Sequence, residues 1–247
     1  MEPREYEASF RLEGEHWWFR AKRALALSLL RRYAAPDARG LDVGCGTGGM
    51  LSALEGRGIW VGVDAEPLAL AFCRKRGLAR LSQGSALALP FRDGTFDVCL
   101  CLDVLYHRAV ASDVAALGEC YRVLRADGLL IVTDSALAWL RSAHDEAVHG
   151  ARRYTRAELV PRIRAAGFTP LRSSYVYCLV FPALAAFRVA RRLVGGNRGG
   201  VSDVFRLPRA LTALLLAVQA VERAMLHLGP LPFGSSVMCV ARKSTPP

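Results

Sequence analysis

Short apolar runs alternate with amphipathic segments through most of the chain. The runs at 40–43, 59–64, 78–83, 96–102 and 129–133 have strand length, and the third is the weakest of them. Between them, residues 48–57, 67–76 and 113–124 carry apolar positions at helical spacing. Strands alternating with helices of this length predict βαβ units and a parallel sheet, and right-handed crossovers put helices on both faces. Residues 1–35 predict an amphipathic helical lead-in containing His16-Trp17-Trp18-Phe19. After Ser135 the alternation loosens: a helix over 155–166 ends at Gly167, a strand follows over 169–180, and a last strand spans 235–241. Between those two strands lie an arginine-studded helix (187–194), a glycine linker (195–200) and a mostly apolar helix (209–228). Four parts are expected: a lead-in or lid at 1–38, a core at 39–180, a basic and apolar insertion at 181–233, and a final strand and tail at 234–247.

Composition narrows the class. Of 247 residues 52% are hydrophobic and 22% charged, which excludes a disordered chain. The net charge of +11 is unevenly spread. Residues 1–140 hold 17 basic and 17 acidic side chains, whereas residues 141–247 hold 16 basic and 5 acidic. A basic C-terminal part on a neutral N-terminal part suggests that one of two jobs meets anions. Seven cysteines without a CxxC pair or Cys/His ligand spacing predict free thiols in a reducing compartment and no metal site. The charged N-terminus opens no signal peptide, and no uninterrupted apolar run reaches the roughly 18 residues of a spanning helix. The expected location is the cytoplasm, with the membrane surface as a peripheral site.

The phrase Leu41-Asp42-Val43-Gly44-Cys45-Gly46-Thr47-Gly48-Gly49 ends the first strand and opens the first helix. Its glycines fit both GxGxG and GxGxxG, so spacing leaves two cofactor classes open. Asp64, 20 residues after Gly44, supports a dinucleotide. Charge argues the other way. A diphosphate at a helix N-terminus wants no neighbouring anion, yet Asp42 stands two residues before the first glycine. S-adenosylmethionine carries an ammonium and a sulfonium and no phosphate, so a carboxylate suits it.

Gly40–Gly48, Gly62–Asp64, the stretch Gln83 to Phe91, Gly94–Val98 and Leu124–Val132 together resemble the ordered motifs of the class I S-adenosylmethionine-dependent methyltransferases, in particular the small-molecule branch. The resemblance runs from Gly40 to Ser135 and more weakly to residue 180. It implies an α/β, Rossmann-like, doubly wound, seven-stranded and mostly parallel sheet with a helical insertion before the last strand. It further implies that Asp42, Gly44, Cys45, Gly46 and Gly48 line the methionine end of the cofactor and that Asp64 holds the ribose. Ala65 then sits beside the adenine, with Ser85 and Ala86 at its edge. The family carries an aspartate where this chain has Ser85, which predicts weaker cofactor binding. The segment from Leu102 through Tyr106 to His107 would close over the sulfonium. S-adenosylhomocysteine is the expected product, and no metal is called for.

Methyl transfer is in-line displacement, so alignment and water exclusion dominate, with a base where the nucleophile must lose a proton. His107 follows the fourth strand at the carboxyl edge, and either a base or a loop-ordering role fits it. His144 and His149 lie beyond the fifth strand at the same edge. His149-Gly150-Ala151-Arg152-Arg153-Tyr154-Thr155 offers a base, two cations and a phenol. One reading is an anion clamp for substrate with Tyr154 as wall or donor; the other is a solvated basic turn with Thr155 as helix N-cap. Trp17 and Trp18 either lid the pocket or bury the lead-in on the sheet. His16 and His227 read as structural. The acceptor is expected to be a hydrophobic, lipid-linked or anionic small molecule, methylated on oxygen ahead of nitrogen or carbon. Three readings of 181–233 remain: an anionic membrane surface, a substrate tunnel, or a homodimer interface. Nucleic acid is disfavoured for want of a stacking platform. A non-catalytic cofactor-binding partner and an NAD-binding dehydrogenase are the alternatives.

Overall fold

The computed structural model describes residues 1–193 and 206–244, and the side chains of 1–190 and 206–244. The glycine linker expected at 195–200, residue 194 and the side chains of Arg191 and Arg192 lie outside that description. Seven strands form one sheet: β1 (Arg39–Val43), β2 (Ile59–Asp64), β3 (Leu81–Gln83), β4 (Phe96–Leu102), β5 (Leu124–Ser135), β6 (Phe168–Val176) and β7 (Ser236–Lys243). Their order is β3-β2-β1-β4-β5-β7-β6. The first five pair in parallel and β7 runs antiparallel between β5 and β6. The order reverses where β1 meets β4, and at such a switch point the crevice beyond the carboxyl ends of the strands takes ligands. Asp42 pairs in register with Gly62 on one side and Leu100 on the other, which sets it at the base of that crevice.

The helices are α1 (Pro3–Leu12), α2 (Trp17–Tyr33), α3 (Gly49–Ala53), α4 (Pro67–Lys75), α5 (Asp113–Val123), α6 (Ala143–Ala147), α7 (Arg156–Ala165), α8 (Phe181–Leu193) and α9 (Arg209–Leu228). One apolar layer joins Leu25, Leu29 and Leu226 to the sheet face bearing Leu100, Ile131 and Met238. The other joins Leu117, Leu159 and Ile163 to the face bearing Leu41, Cys99 and Val237. Strands covered on both faces read as continuous apolar runs, which is why the core was visible in the sequence.

Several boundaries differ from expectation. The lead-in is two helices, because His16 takes an extended conformation and its Nδ1 accepts the Trp18 N–H at 3.3 Å, capping α2. The helix expected over 48–57 stops at Ala53; Gly56 and Gly58 follow in left-handed conformations that end propagation. β3 is only three residues long. β5 starts at Leu124, so that residue is strand and not the end of α5, and Asp127-Gly128 lies within β5. β6 ends at Val176 because Tyr177 turns with φ 61° and donates its N–H to the Glu222 carboxylate of α9. The segment after β5 adds α6, closed by a Ser142/Asp145 capping box.

Candidate functional site

At the carboxyl end of β1 the chain turns through Gly44, Cys45 and Gly46 into α3. Gly44 has φ 67°, and a Cβ there would sit 2.6 Å from a Val104 methyl; Gly48 caps α3 at φ 85°. The N–H groups of Gly44 and Cys45 donate to Val63 O at 2.8 and 3.0 Å, fastening the turn to β2. Asp64 accepts from Gly46 N–H at 2.9 Å and Glu66 N–H at 3.0 Å, so the acid at the end of β2 shapes the turn itself. Burial pushes the Asp64 carboxyl up, against the pull of those two N–H groups.

Asp42 is 2% exposed, and its Oδ2 has no hydrogen-bond partner among the described residues. Burial pushes it up to about 7, opposed by Lys22 and reinforced by Asp64 and Glu13. Buried polar atoms are almost always paired, so a lone carboxyl oxygen beside a glycine turn marks a place for a donor or cation. The neighbouring cations are committed elsewhere: Lys22 to Asp103 at 2.9 Å, and Arg76 to Glu13. S-adenosylmethionine, with its ammonium and sulfonium, fits this acidic crevice, and a diphosphate would meet Asp42 as a like charge.

Residues that sequence reasoning did not single out hold the turn from outside. The Glu13 carboxylate, between α1 and α2, accepts from Thr47 Oγ1 at 2.8 Å and from Arg76. Arg76 also donates to Thr47 O at 2.7 Å and Phe10 O at 3.0 Å. α1 packs on α4 through Tyr6 and through Phe10 against Phe72, ring centroids 4.8 Å apart. At its other end Glu2 reaches His149 Nε2 at 2.8 Å and Ala147 O at 3.1 Å. The helix therefore bridges the crevice from α4 to α6. No spacing rule reveals these contacts, since the partners lie far apart in the chain.

His107 is half-buried, with its Nδ1 accepting the Ala109 N–H at 3.2 Å and its ring 5.7 Å from that of His149. Burial pushes it down to about 4, helped by the Met1 amino group and the neighbouring His149 and Arg108. Met1 N lies 3.2 Å from His107 Nε2 and 3.1 Å from His149 Nδ1. Asp103 and His149 both take left-handed conformations, at φ 60° and 56°. Backbone strain of this kind gathers at functional sites. Asp134, fully buried, accepts from Tyr106 N–H at 3.2 Å and Ser135 N–H at 2.8 Å and so orders the 103–107 loop. Burial holds the Tyr106 phenol well above its ordinary value, with Asp103, Asp134 and Asp145 adding to the shift.

Three expected substrate contacts are corrected. Tyr154 is 1% exposed, and its hydroxyl donates to Leu105 O at 3.2 Å and Asp113 Oδ2 at 3.1 Å, which makes it core. Arg152 donates to the carbonyls of Leu105, Val110 and Ala111. Arg153 pairs with Asp145 at 2.8 Å, both side chains 5% exposed, and donates to Ala136 O. No anion clamp forms, because the segment folds back on the 105–113 loop and its cations hold carbonyls and a carboxylate there. Thr155 caps α7.

The remaining candidates are spread around the rim. Ser85 is exposed and its Oγ accepts the Leu87 N–H at 3.1 Å, so it shapes its own turn. Ala65 is exposed at the end of β2, and Ala86 is half-buried. Leu102 closes β4 at 8% exposure, and Cys45 Sγ lies 4.0 Å from Cys73 Sγ. Trp17 and Trp18 meet edge to face at 5.7 Å, and Trp18 stacks on Tyr177 at 4.3 Å, so both pack α2 toward the insertion. His227 lies 2.9 Å from Arg32. Among the described residues no group of three or more His, Cys, Asp or Glu is placed to hold a metal.

Residues 41–132 match the family described as a methyltransferase domain. A demethylmenaquinone methyltransferase of Thermus thermophilus is 40% identical over 121 residues, 46% of this chain and 52% of that protein. A 24-methylenesterol C-methyltransferase of Oryza sativa is 35% identical over 144 residues, 53% of this chain and 38% of that one. The chain thus spans about half or less of the length of these relatives. A crystal structure from Thermotoga maritima, described as an S-adenosylmethionine-dependent methyltransferase and possible histamine N-methyltransferase, shares the fold. Its TM-score is 0.63 at 21% identity, covering 98% of this chain and 96% of that one.

Proposed function

Since the chain belongs to the class I S-adenosylmethionine-dependent methyltransferase family through residues 41–132, we propose that it methylates an oxygen of a hydrophobic or lipid-linked small molecule. The observation that carries the cofactor half of this reading is the buried, unpartnered Asp42 oxygen beside the glycine turn. When bound, the cofactor supplies a methyl already activated on a sulfonium. Asp42 and the turn Gly44, Cys45, Gly46 and Gly48 would hold its methionine end. Asp64 would take the ribose hydroxyls, Ala65, Ser85 and Ala86 would line the adenine, and the segment from Leu102 to His107 would close over the sulfonium.

The chain's own work is then alignment and exclusion of water. α1 covers the crevice, and Asp134 holds the 103–107 loop that presents Tyr106 and His107. With its pKa about 4, His107 is neutral at physiological pH, and since its Nδ1 accepts the Ala109 N–H, its Nε2–H is the donor that orients the acceptor oxygen. His107 thus orients the nucleophile, and to act as its base it would have to give up the Ala109 contact. His149 is the second candidate. Tyr106 offers the acceptor apolar contact, while Trp17 and Trp18 pack α2 on the core. The named substrates of the two curated relatives, a methylenesterol and a demethylmenaquinone, support an apolar acceptor.

The test is formation of S-adenosylhomocysteine with a panel of apolar phenols and alcohols. Turnover with at least one, reduced in His107→Ala, is expected. Tight cofactor binding without turnover on any acceptor would favour a non-catalytic partner protein.

A further inference from the structure

α9 keeps Leu226 in the core but buries two polar side chains beside it and leaves much of its apolar surface outside. Its polar residues Gln219 and Glu222 are 3% and 2% exposed, while Leu214, Val221 and Leu228 are 59%, 56% and 91% exposed on the outer side. The Glu222 carboxylate accepts the N–H groups of Tyr177 and Leu179, so the inward orientation is fixed by polar contacts to the turn before α8. α8 adds Phe187 and Val189, 47% and 43% exposed. The apolar surface continues to the crevice edge: Trp139, after β5, packs on Phe181 at 5.8 Å, and Phe181 on Phe233 at 5.5 Å. Large apolar side chains exposed along both helices and this aromatic chain mark an interaction site.

Charge decides the partner. Residues 181–233 contain seven arginines against two acids, Asp203 and Glu222. Glu222 is buried, so the described faces of α8 and α9 expose no carboxylate. A second copy would set arginine against arginine without an exposed acid there to meet them. Anionic headgroups supply the missing complement, and an apolar stripe flanked by arginine is how an interfacial helix enters a bilayer surface.

We infer that α8 and α9 dock the protein on an anionic lipid bilayer, lying along the surface with the crevice edge toward the lipid. By length and composition α9 is the one helix among the described residues able to cross a membrane, although its charged residues break any uninterrupted apolar run. Spanning would tear Glu222 from its two N–H partners and place it in hydrocarbon. The helix therefore lies on the surface.

The experiment is flotation of the full chain with phosphatidylglycerol-containing vesicles and with phosphatidylcholine vesicles. Binding to the anionic vesicles alone, released by high salt, is expected. Leu214→Glu and Val221→Glu lie on the exposed face and should fold; each weakens binding about tenfold. Arg209→Glu lowers the preference for anionic lipid. S-adenosylhomocysteine affinity, unchanged in all three, reports the fold without reference to lipid or turnover. Three results would overturn the inference: no flotation at low salt, release by detergent but not by salt, or a concentration-dependent dimer abolished by Leu214→Glu without vesicle binding.

Discussion

Asp42 converts cofactor binding into a proton count. An unfolded aspartate loses its proton near 3.8, whereas burial holds the folded Asp42 proton up to about 7. At about pH 6 the ligand-free protein therefore carries roughly 0.9 of a proton there, and at about pH 8 roughly 0.1. An ammonium placed against the unpartnered oxygen returns the carboxyl to its ordinary range and expels that proton. Calorimetry of S-adenosylhomocysteine binding in buffers of different ionisation enthalpy should thus show release of close to one proton at the lower pH and almost none at the higher. Affinity should rise nearly tenfold per pH unit below about 6 and level off above about 7. Asp42→Asn removes the proton release and costs about 2 kcal/mol of binding, some thirtyfold in affinity. The sign for stability is the reverse. Between the two pKa values the folded state holds the extra proton, so this group makes the ligand-free protein less stable as pH rises through that window, by about 4 kcal/mol in all. Asp42→Asn should therefore be more stable than the native chain at neutral pH while binding worse. Binding heat independent of buffer at the lower pH would refute this reasoning.

Other outcomes follow from the same contacts. Asp145→Ala leaves the Arg153 guanidinium buried and unpaired and should lower unfolding free energy by about 3 kcal/mol in urea titrations. Burial raises the Asp145 carboxyl, but Arg153 and the Ser142 N–H pull it below its ordinary value. The pair's stabilisation is then present above about pH 4 and lost as pH falls through the folded pKa. Tyr154→Phe should lose about 1 kcal/mol of stability and leave the pH–rate profile unmoved; a shifted profile would restore Tyr154 to the chemistry. Glu13→Gln loosens Thr47 and Arg76 and should weaken S-adenosylhomocysteine binding about tenfold, with the sheet intact by circular dichroism.

The alternation of buried strands and amphipathic helices made the sheet legible, because Val43, Val98 and Ile131 sit in strands covered on both faces. Asp42, Asp64 and the glycines were legible for a related reason: strand-end acids and a strand-to-helix turn are local features. Arg152, Arg153 and Tyr154 misled because residue type at a reactive edge does not reveal whether a guanidinium or hydroxyl is already partnered. Their partners, the carbonyls of Leu105, Val110 and Ala111 and the carboxylates of Asp113 and Asp145, come from the fold. Glu13, Lys22 and Arg76 escaped notice for the same reason, each meeting a residue between 34 and 81 positions away. The apolar spacing of α9 was visible, but not that Glu222 would turn inward and Leu214 outward.

The most direct measurement is a calorimetric titration of the same protein with S-adenosylhomocysteine and with NAD. An acidic crevice around Asp42 and Asp64 predicts saturable one-to-one binding of the thioether and no heat from the dinucleotide. Binding of NAD with S-adenosylhomocysteine excluded would contradict the account.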